Sequence, residues 1–442
     1  MGRRCIGLDV HRDFAQVAVW EDGKVRHAGQ VAITGEALAV FVDSLSGEDE
    51  VAIEATCNTH ALVRAIAPRV ARVVVSNPMK TRAIAEAKVK TDKVDAAILA
   101  QLLAADYLPG VWVADEATHA LRRRVARRAH IVRQRTRLKN QVQAILHRNL
   151  IARCPFADLF GIKGRAWLAE QDLPGDERQA VEALLRQLDF QAQELRIIDA
   201  ALGRIALERQ DVKRLMTIPG VDATVALALA AAVGDFARFR RSEQLVSYLG
   251  LNPRVRQSGS QPAAHGRITK QGRAHARGML VEAAFTAAKI PGPLRAFFER
   301  VRARRGTQIA IVATARKLVC LCWTMIDRGE DYAFARQSLT DKKLRALELR
   351  AGMPSRRGQK GNAANYSLKE VRRRELELAE QAEHAYRRQV ADWQARRPAS
   401  KVGVVAANGA RLLGHQTGHA ARQDQAPDPA LRSGVGHAHT RA

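Results

Sequence analysis

The 442-residue sequence contains no CxxC pair, no uninterrupted apolar run of about 18 residues and no internal repeat. Each absence excludes something. The five cysteines, Cys5, Cys57, Cys154, Cys320 and Cys322, are odd in number and scattered, and Cys320 and Cys322 lie too close together for a zinc knuckle. Neither a disulfide framework nor a structural zinc site is expected. Without a long apolar run no membrane span is expected, and MGRRCIGLDV lacks the apolar stretch of a signal peptide. The expectation is a reduced, cytoplasmic protein. Acids are scarce as well: 45 Asp plus Glu stand against 72 Lys plus Arg, a formal net charge of +27. Hydrophobic residues make up 47%, which excludes a wholly disordered chain, and the length suggests two to four domains at roughly 150 residues each. A foldable chain this positive implies a polyanionic partner, with nucleic acid ahead of a membrane surface.

Residues 4–112 alternate between strand and helix periods. Cys5–Val10 and Phe14–Trp20 are β-rich runs separated by His11-Arg12-Asp13, a tight-hairpin spacing, and Val25–Ile33 follows the turn signal Asp22-Gly23. Helical stripes over Gly35–Leu45 and Asn58–Ala67 flank a short strand at Val51–Glu54, and Val70–Ser76 is continuously apolar. Three opening strands followed by alternating helix and strand indicate a mixed α/β sheet. Composition then changes. Residues 117–157 hold eleven Lys or Arg and not one acid, with apolar positions near helical spacing from Leu121 to Leu146. A second long helical pattern spans about Asp176 to Arg209, so two antiparallel helices, a coiled-coil arm, are expected. A third, mainly helical unit runs from Val212, with helices at Thr224–Val233, Arg273–Lys289 and Thr307–Asp327 and a loop-rich stretch over Gly234–Ala264. Beyond Asp341 the chain is mostly charge. Leu368–Gln394 has a charged helical pattern, and Pro398–Ala442 lacks aromatics and reads as disordered. The resulting division is 1–115, 116–211, 212–340 and 341–442.

Asp9 ends the strand Ile6-Gly7-Leu8-Asp9-Val10, and Glu54 repeats that pattern after Val51-Ala52-Ile53. A carboxylate at the end of a buried strand is poorly solvated unless it turns outward or meets a cation. Asp92 and Asp95 lie at i and i+3 and share a helix face. If these elements converge, four carboxylates form one cluster that needs divalent cations, and carboxylate-bridged Mg²⁺ ions are an apparatus for phosphodiester cleavage. Turn and solvated-surface roles suit each acid taken singly. His11, two positions after Asp9, is placed to contact substrate, but a hairpin-turn histidine is the commoner case.

Tyr248-Leu249-Gly250-Leu251-Asn252-Pro253-Arg254 leads through Gln257-Ser258-Gly259-Ser260 to Gly266-Arg267-Ile268-Thr269-Lys270-Gln271-Gly272. Small residues around a serine let backbone and hydroxyl approach a phosphate, and Arg254, Arg256, Arg267 and Lys270 supply charge for it. Composition alone leaves this loop as a nucleic-acid contact or as the carrier of a nucleophile. These segments, together with Gly7-Leu8-Asp9-Val10, Glu54-Ala55-Thr56, Lys90-Thr91-Asp92-Lys93-Val94-Asp95-Ala96 and Ile218-Pro219-Gly220-Val221, resemble the DEDD transposases of the bacterial insertion-sequence family one-ten. The resemblance covers about residues 4–335. It implies an α/β ribonuclease H-like (Holliday-junction-resolvase-like) N-terminal domain, a helical coiled-coil linker and a mainly α C-terminal transposase domain. It further implies that Asp9, Glu54, Asp92 and Asp95 bind metal, as Mg²⁺, and that Ser258 is the nucleophile. Homo-oligomers, element-end and target DNA, and a noncoding bridge RNA as guide are the implied partners.

Ile218-Pro219-Gly220-Val221 fits a helix-hairpin-helix turn as well as an ordinary capping turn. The acid-free helix is expected to neutralise phosphate through Arg122, Arg123, Arg127 and Arg128, because self-repulsion otherwise opposes its folding. Arg254, Arg267 and Lys270 are further candidate nucleic-acid contacts. The combined expectation is a DNA transposase or recombinase; a junction-resolving nuclease using water and a non-enzymatic nucleic-acid-binding protein are the alternatives.

Overall fold

The computed structural model describes residues 3–84, 91–354 and 364–396. Its contacts divide the chain into two compact units, Met1–Glu116 and Ala117–Ala442.

The N-terminal unit is a five-stranded mixed sheet with helices on both faces. Strands β1 (Cys5–Val10), β2 (Phe14–Glu21) and β3 (Lys24–Ala32) form an antiparallel meander; helix α1 (Gly35–Asp43), β4 (Glu50–Glu54), α2 (Thr59–Ile66), β5 (Arg72–Ser76), α3 (Pro78–Ile84) and α4 (Asp92–Ala104) follow. The strand order is β3-β2-β1-β4-β5, with β1, β4 and β5 mutually parallel. Alternation sorts the β1 side chains by face. Ile6, Leu8 and Val10 join Val51 and Ile53 in the core that also holds Val42, Leu62 and Ile66 of α1 and α2. Cys5 and Ala52 face Leu99 and Leu103 of α4. Gly7 is on this second face, where a Cβ would lie 2.1 Å from the Ala96 carbonyl oxygen and 2.7 Å from the Ala100 nitrogen, so α4 rests directly on the β1 backbone. The expected strands and the first two helices are all present.

Among its described residues the second unit is mainly helical: α5 (Glu116–Arg148), α6 (Ile162–Ala169), α7 (Gly175–Glu208), α8 (Gln210–Leu215), α9 (Ala223–Val233), α10 (Ser242–Tyr248), the hairpin β6 (Pro253–Arg256) and β7 (Ala264–Ile268), then α11 (Ala274–Ala287), α12 (Pro293–Arg305), α13 (Thr307–Arg328), α14 (Gln337–Arg350) and α15 (Lys369–Arg396). Ion pairs Arg127–Glu194, Arg128–Asp199 and Arg148–Glu177 run in opposite sequence directions, so α5 and α7 are antiparallel. Every α9 residue from Val225 to Val233 is buried, capped by Asp222 at its start and by Gly234 in the positive-φ region at its end. Helix α13 is long and apolar enough by length and composition to cross a membrane. Here Ala310, Ile311, Ala315, Leu318, Val319, Cys322 and Met325 fill the main core instead.

One expectation needs correction. Gly234–Ala264 is not simply loop-rich, since it contains α10 and β6; the strand Pro253–Arg256 is mostly exposed and carries no apolar alternation to reveal it. In the charge-rich stretch after Asp341, α14 places Leu347 in the main core, and Gly203 of α7 packs against Ala351. Pro398–Ala442 lies outside the described residues.

Candidate active site

The acids gather at one end of the N-terminal sheet. Asp9 follows Gly7 on the α4 side of β1 and is only 5% exposed. Leu8 pairs with Ile53 in parallel register, so Glu54, one residue further on, continues the edge beside Asp9 and is half-buried. Helix α4 supplies Asp92 and Asp95 in its first turn, where the Thr91 hydroxyl accepts a hydrogen bond from the Val94 nitrogen at 3.3 Å. Acids at a helix N-terminus are favoured by the exposed amides and the helix dipole.

His11 is the residue that sequence reasoning favoured as a turn histidine over a substrate contact. Its Nε2 lies 3.2 Å from Asp9 Oδ2 and 3.3 Å from Asp92 Oδ2, and its ring packs on Phe14 with centroids 4.8 Å apart. The Asp9, His11 and Asp92 ligand atoms all lie within 4.8 Å of one another. Burial raises the Asp9 carboxyl above its ordinary range; His11 opposes the rise, while the Asp95 and Asp92 charges add to it. Two carboxylates and an imidazole, with a third carboxylate close enough to be felt, form a donor set suited to a divalent cation. Asp9 and Asp92 are therefore brought together by contact, Asp95 by its charge, and Glu54 by strand register.

Ser258 sits in the exposed loop joining β6 to β7, where its carbonyl accepts from the Gln261 nitrogen at 3.3 Å and Gly259 has φ +55°. Ser260 is equally exposed, so exposure does not choose between them. The base of the hairpin is tight. A Cβ on Gly250 would lie 2.2 Å from the Gln271 carbonyl oxygen, and one on Gly272 would lie 2.1 Å from that of Tyr248. Arg277 donates to the carbonyls of Leu249 and Lys270 at 3.0 and 3.2 Å. Arg254, Arg256, Arg267 and Lys270 are exposed along the hairpin.

The arginines of α5 divide into two sets. Arg127, Arg128 and Arg148 pair with acids of α7, and Arg122 donates to the carbonyls of Ala231 and Ala232 at 2.8 and 3.0 Å. Arg123, which contacts His119, and Arg124, Arg133 and Arg137 are exposed. Part of the self-repulsion along the acid-free stretch 117–148 of this helix is thus relieved by α7. In the Ile218–Val221 turn, Gly220 has φ +85° and approaches Ala283, while Lys343 of α14 donates to the carbonyls of Met216 and Ile218 at 2.6 and 2.7 Å.

A family model described as "Transposase IS116/IS110/IS902 family" matches residues 212–299, and a second, for DEDD transposases of the IS110 type, matches residues 6–150. The chain is 30% identical over 294 residues to the putative transposase y4qE of Sinorhizobium fredii, covering 64% of this chain and 71% of that protein. It is 28% identical over 215 residues to the transposase for insertion sequence element IS1111A of Coxiella burnetii, covering 46% and 58% respectively. With the transposase for insertion sequence element IS1328 of Yersinia enterocolitica it shares 24% identity over 284 residues, covering 63% and 84%. Family matches over both the carboxylate-bearing and the serine-bearing segments, in the same order, make the chain a member of the IS116/IS110/IS902 family of DEDD transposases, enzymes of DNA recombination.

Proposed function

We propose that this transposase cuts and rejoins DNA by transesterification, with Ser258 as nucleophile and Asp9, Glu54, Asp92 and Asp95 as ligands for Mg²⁺. The observation carrying the metal assignment is the gathering of Asp9 and Asp92 around one imidazole nitrogen, where two parallel strands end beside the first turn of α4. A bound divalent ion supplies positive charge at the scissile phosphate and at the departing oxygen. The chain's part is to hold the acids: β1 and β4 fix Asp9 and Glu54 on one face, and α4 presents Asp92 and Asp95 to it.

At the hairpin, the Ser258 hydroxyl gives up its proton to a base and forms an Oγ–phosphorus bond. The bond from phosphorus to the departing strand end breaks, and that oxygen takes up a proton. Attack by the hydroxyl end of another strand then frees the serine, so the phosphodiester is exchanged without being lost to water. Arg254, Arg267 and Lys270 contribute charge beside the attacked phosphate, and the exposed arginines of α5 contribute backbone affinity. The substrates in this reading are the element ends and target DNA. A noncoding bridge RNA is the guide and a homo-oligomer the working assembly, with residues 1–115, 116–211, 212–340 and 341–442 as its domains.

The test is to incubate the chain with nicked DNA and Mg²⁺ and map any covalent adduct by peptide mass. An adduct on Ser258 that disappears in Ser258→Ala and persists in Ser260→Ala is expected. An adduct on Ser260 would overturn the nucleophile, and normal cleavage by Ser258→Ala without any adduct would identify a water-using nuclease.

A further inference from the structure

The imidazole beside the acids is held by its own hairpin. His11 is the first residue after β1; its backbone nitrogen donates to the Phe14 carbonyl at 2.9 Å, closing the turn into β2, and its ring packs on the Phe14 ring. Asp9 is fixed in β1, and Asp92 in the first turn of α4, whose N-terminus Thr91 caps. Three separate elements thus bring one nitrogen and two oxygens within 4.8 Å of one another. The Asp9 side chain is 8% exposed, whereas those of His11 and Asp92 are 40% and 49% exposed, so an ion can reach them from solvent.

The separations suit ligands of a single ion. Adjacent donors on an ion with bonds of about 2.0–2.2 Å stand about 2.8–3.6 Å apart, from octahedral to tetrahedral geometry. His11 Nε2 lies 3.2 and 3.3 Å from the Asp9 and Asp92 oxygens, within that span. An imidazolium hydrogen-bonded to both acids gives similar distances, and charge separates the two cases. A protonated ring brings one positive charge to two carboxylates, while the Asp95 charge still weighs on Asp9. A divalent ion brings two, and the neutral ring then serves it as a ligand.

His11 also differs in kind from the other donors. Asp9, Glu54, Asp92 and Asp95 alone are an all-oxygen set, which suits Mg²⁺; an imidazole nitrogen shifts preference toward transition-metal ions. We propose, on the reading of these acids as metal ligands, that His11 Nε2 is a further ligand of the ion held by Asp9 and Asp92, and that this nitrogen makes the position select Mn²⁺ over Mg²⁺. The Phe14 ring and the turn hydrogen bond hold the imidazole in place before the ion arrives, which keeps the ordering cost of binding low.

The experiment uses the full chain, with Mn²⁺ and Mg²⁺ themselves as probes. Pulsed electron paramagnetic resonance of the Mn²⁺-loaded wild type is expected to show the nitrogen hyperfine coupling of a directly bound imidazole. His11→Ala removes the donor, and His11→Gln sets an amide oxygen near the same place; both are expected to lose the coupling. Titration with each ion is expected to show the ratio of Mn²⁺ to Mg²⁺ affinity falling by about tenfold or more in both variants, with circular dichroism in chelator unchanged. Asp9→Asn tests the acids themselves and is expected to lose most of the binding of either ion. Wild-type Mn²⁺ bound without nitrogen coupling, or His11 variants that keep the wild-type ratio, would overturn His11 as a ligand, while a loss in Asp9→Asn would leave the acid site standing. Binding of both ions by Asp9→Asn at wild-type affinity would remove the acid site and His11 with it.

Discussion

Gly7 and Ala96 fix how closely the sheet and α4 approach: the space a Gly7 side chain would need is already filled by the Ala96 carbonyl oxygen. Asp9 lies two residues beyond Gly7 on the same strand face, and Asp92 lies one helical turn before Ala96. Close backbone packing therefore sets the separation of the two acids that meet His11.

Gly7→Ala is expected to push α4 from β1. An overpacked contact of this kind costs about 1–3 kcal/mol, because both partners in the clash are backbone. Chemical denaturation measures the loss, and divalent-ion binding should weaken along with stability. A variant of wild-type stability that binds metal normally would mean that α4 yields without cost.

Asp9→Asn is expected to abolish strand cleavage and leave DNA retention intact. Its effect on stability has a definite sign. Burial raises the native Asp9 carboxyl, so the fold favours the protonated form; that contribution is complete below the unfolded value and disappears as pH rises through the native one. In chelator at pH 8, the uncharged amide of the Asp9→Asn variant spares the fold a buried charge, and Tm is expected to exceed wild type by about 2–4 °C for each kcal/mol relieved. The difference should shrink toward pH 4. Adding a divalent ion should raise Tm in the wild type and much less in the variant. A lower Tm for the variant in chelator at pH 8 would contradict this account.

The α5 arginines should separate by experiment. Arg128→Gln breaks a half-buried pair with Asp199 and is expected to cost about 1 kcal/mol in unfolding free energy. Arg124→Gln, on an exposed position, should leave stability unchanged and flatten the salt dependence of nucleic-acid binding. The reverse pattern would place the nucleic acid on the α7 side of the helix pair.

Lys343→Ala removes the donor shared by the Met216 and Ile218 carbonyls. A loss of about 1–3 kcal/mol is expected from acceptors on these buried residues, with faster amide exchange across residues 216–221. Unaltered exchange there would show that Gly220 and its packing on α11 hold the turn unaided.

Much of the N-terminal unit was legible because its strands are written in alternating Val, Ile and Ala and bounded by a turn signal such as Asp22-Gly23. Asp9 and Glu54 stood out as acids ending apolar strands, and Asp92 and Asp95 by their i, i+3 spacing on one helix face. His11 did not, since its partner Asp92 arrives from a helix far along the chain. The β6–β7 hairpin was hidden because its strands, PRVR and AHGRI, carry no apolar alternation. The ion pairs that relieve α5 could not be read within α5, because the acids belong to α7.

The hairpin is immovable where it begins and spacious where it ends. At Gly250 and Gly272 any side chain meets backbone, whereas a Cβ on Gly259 would meet nothing within 4 Å. Sequence length is therefore negotiable at the crest and forbidden at the foot. Lengthening the chain between Ser260 and Ala264 would alter the reach of the serine while leaving the helical body undisturbed, giving a site where reach and stability can be engineered separately.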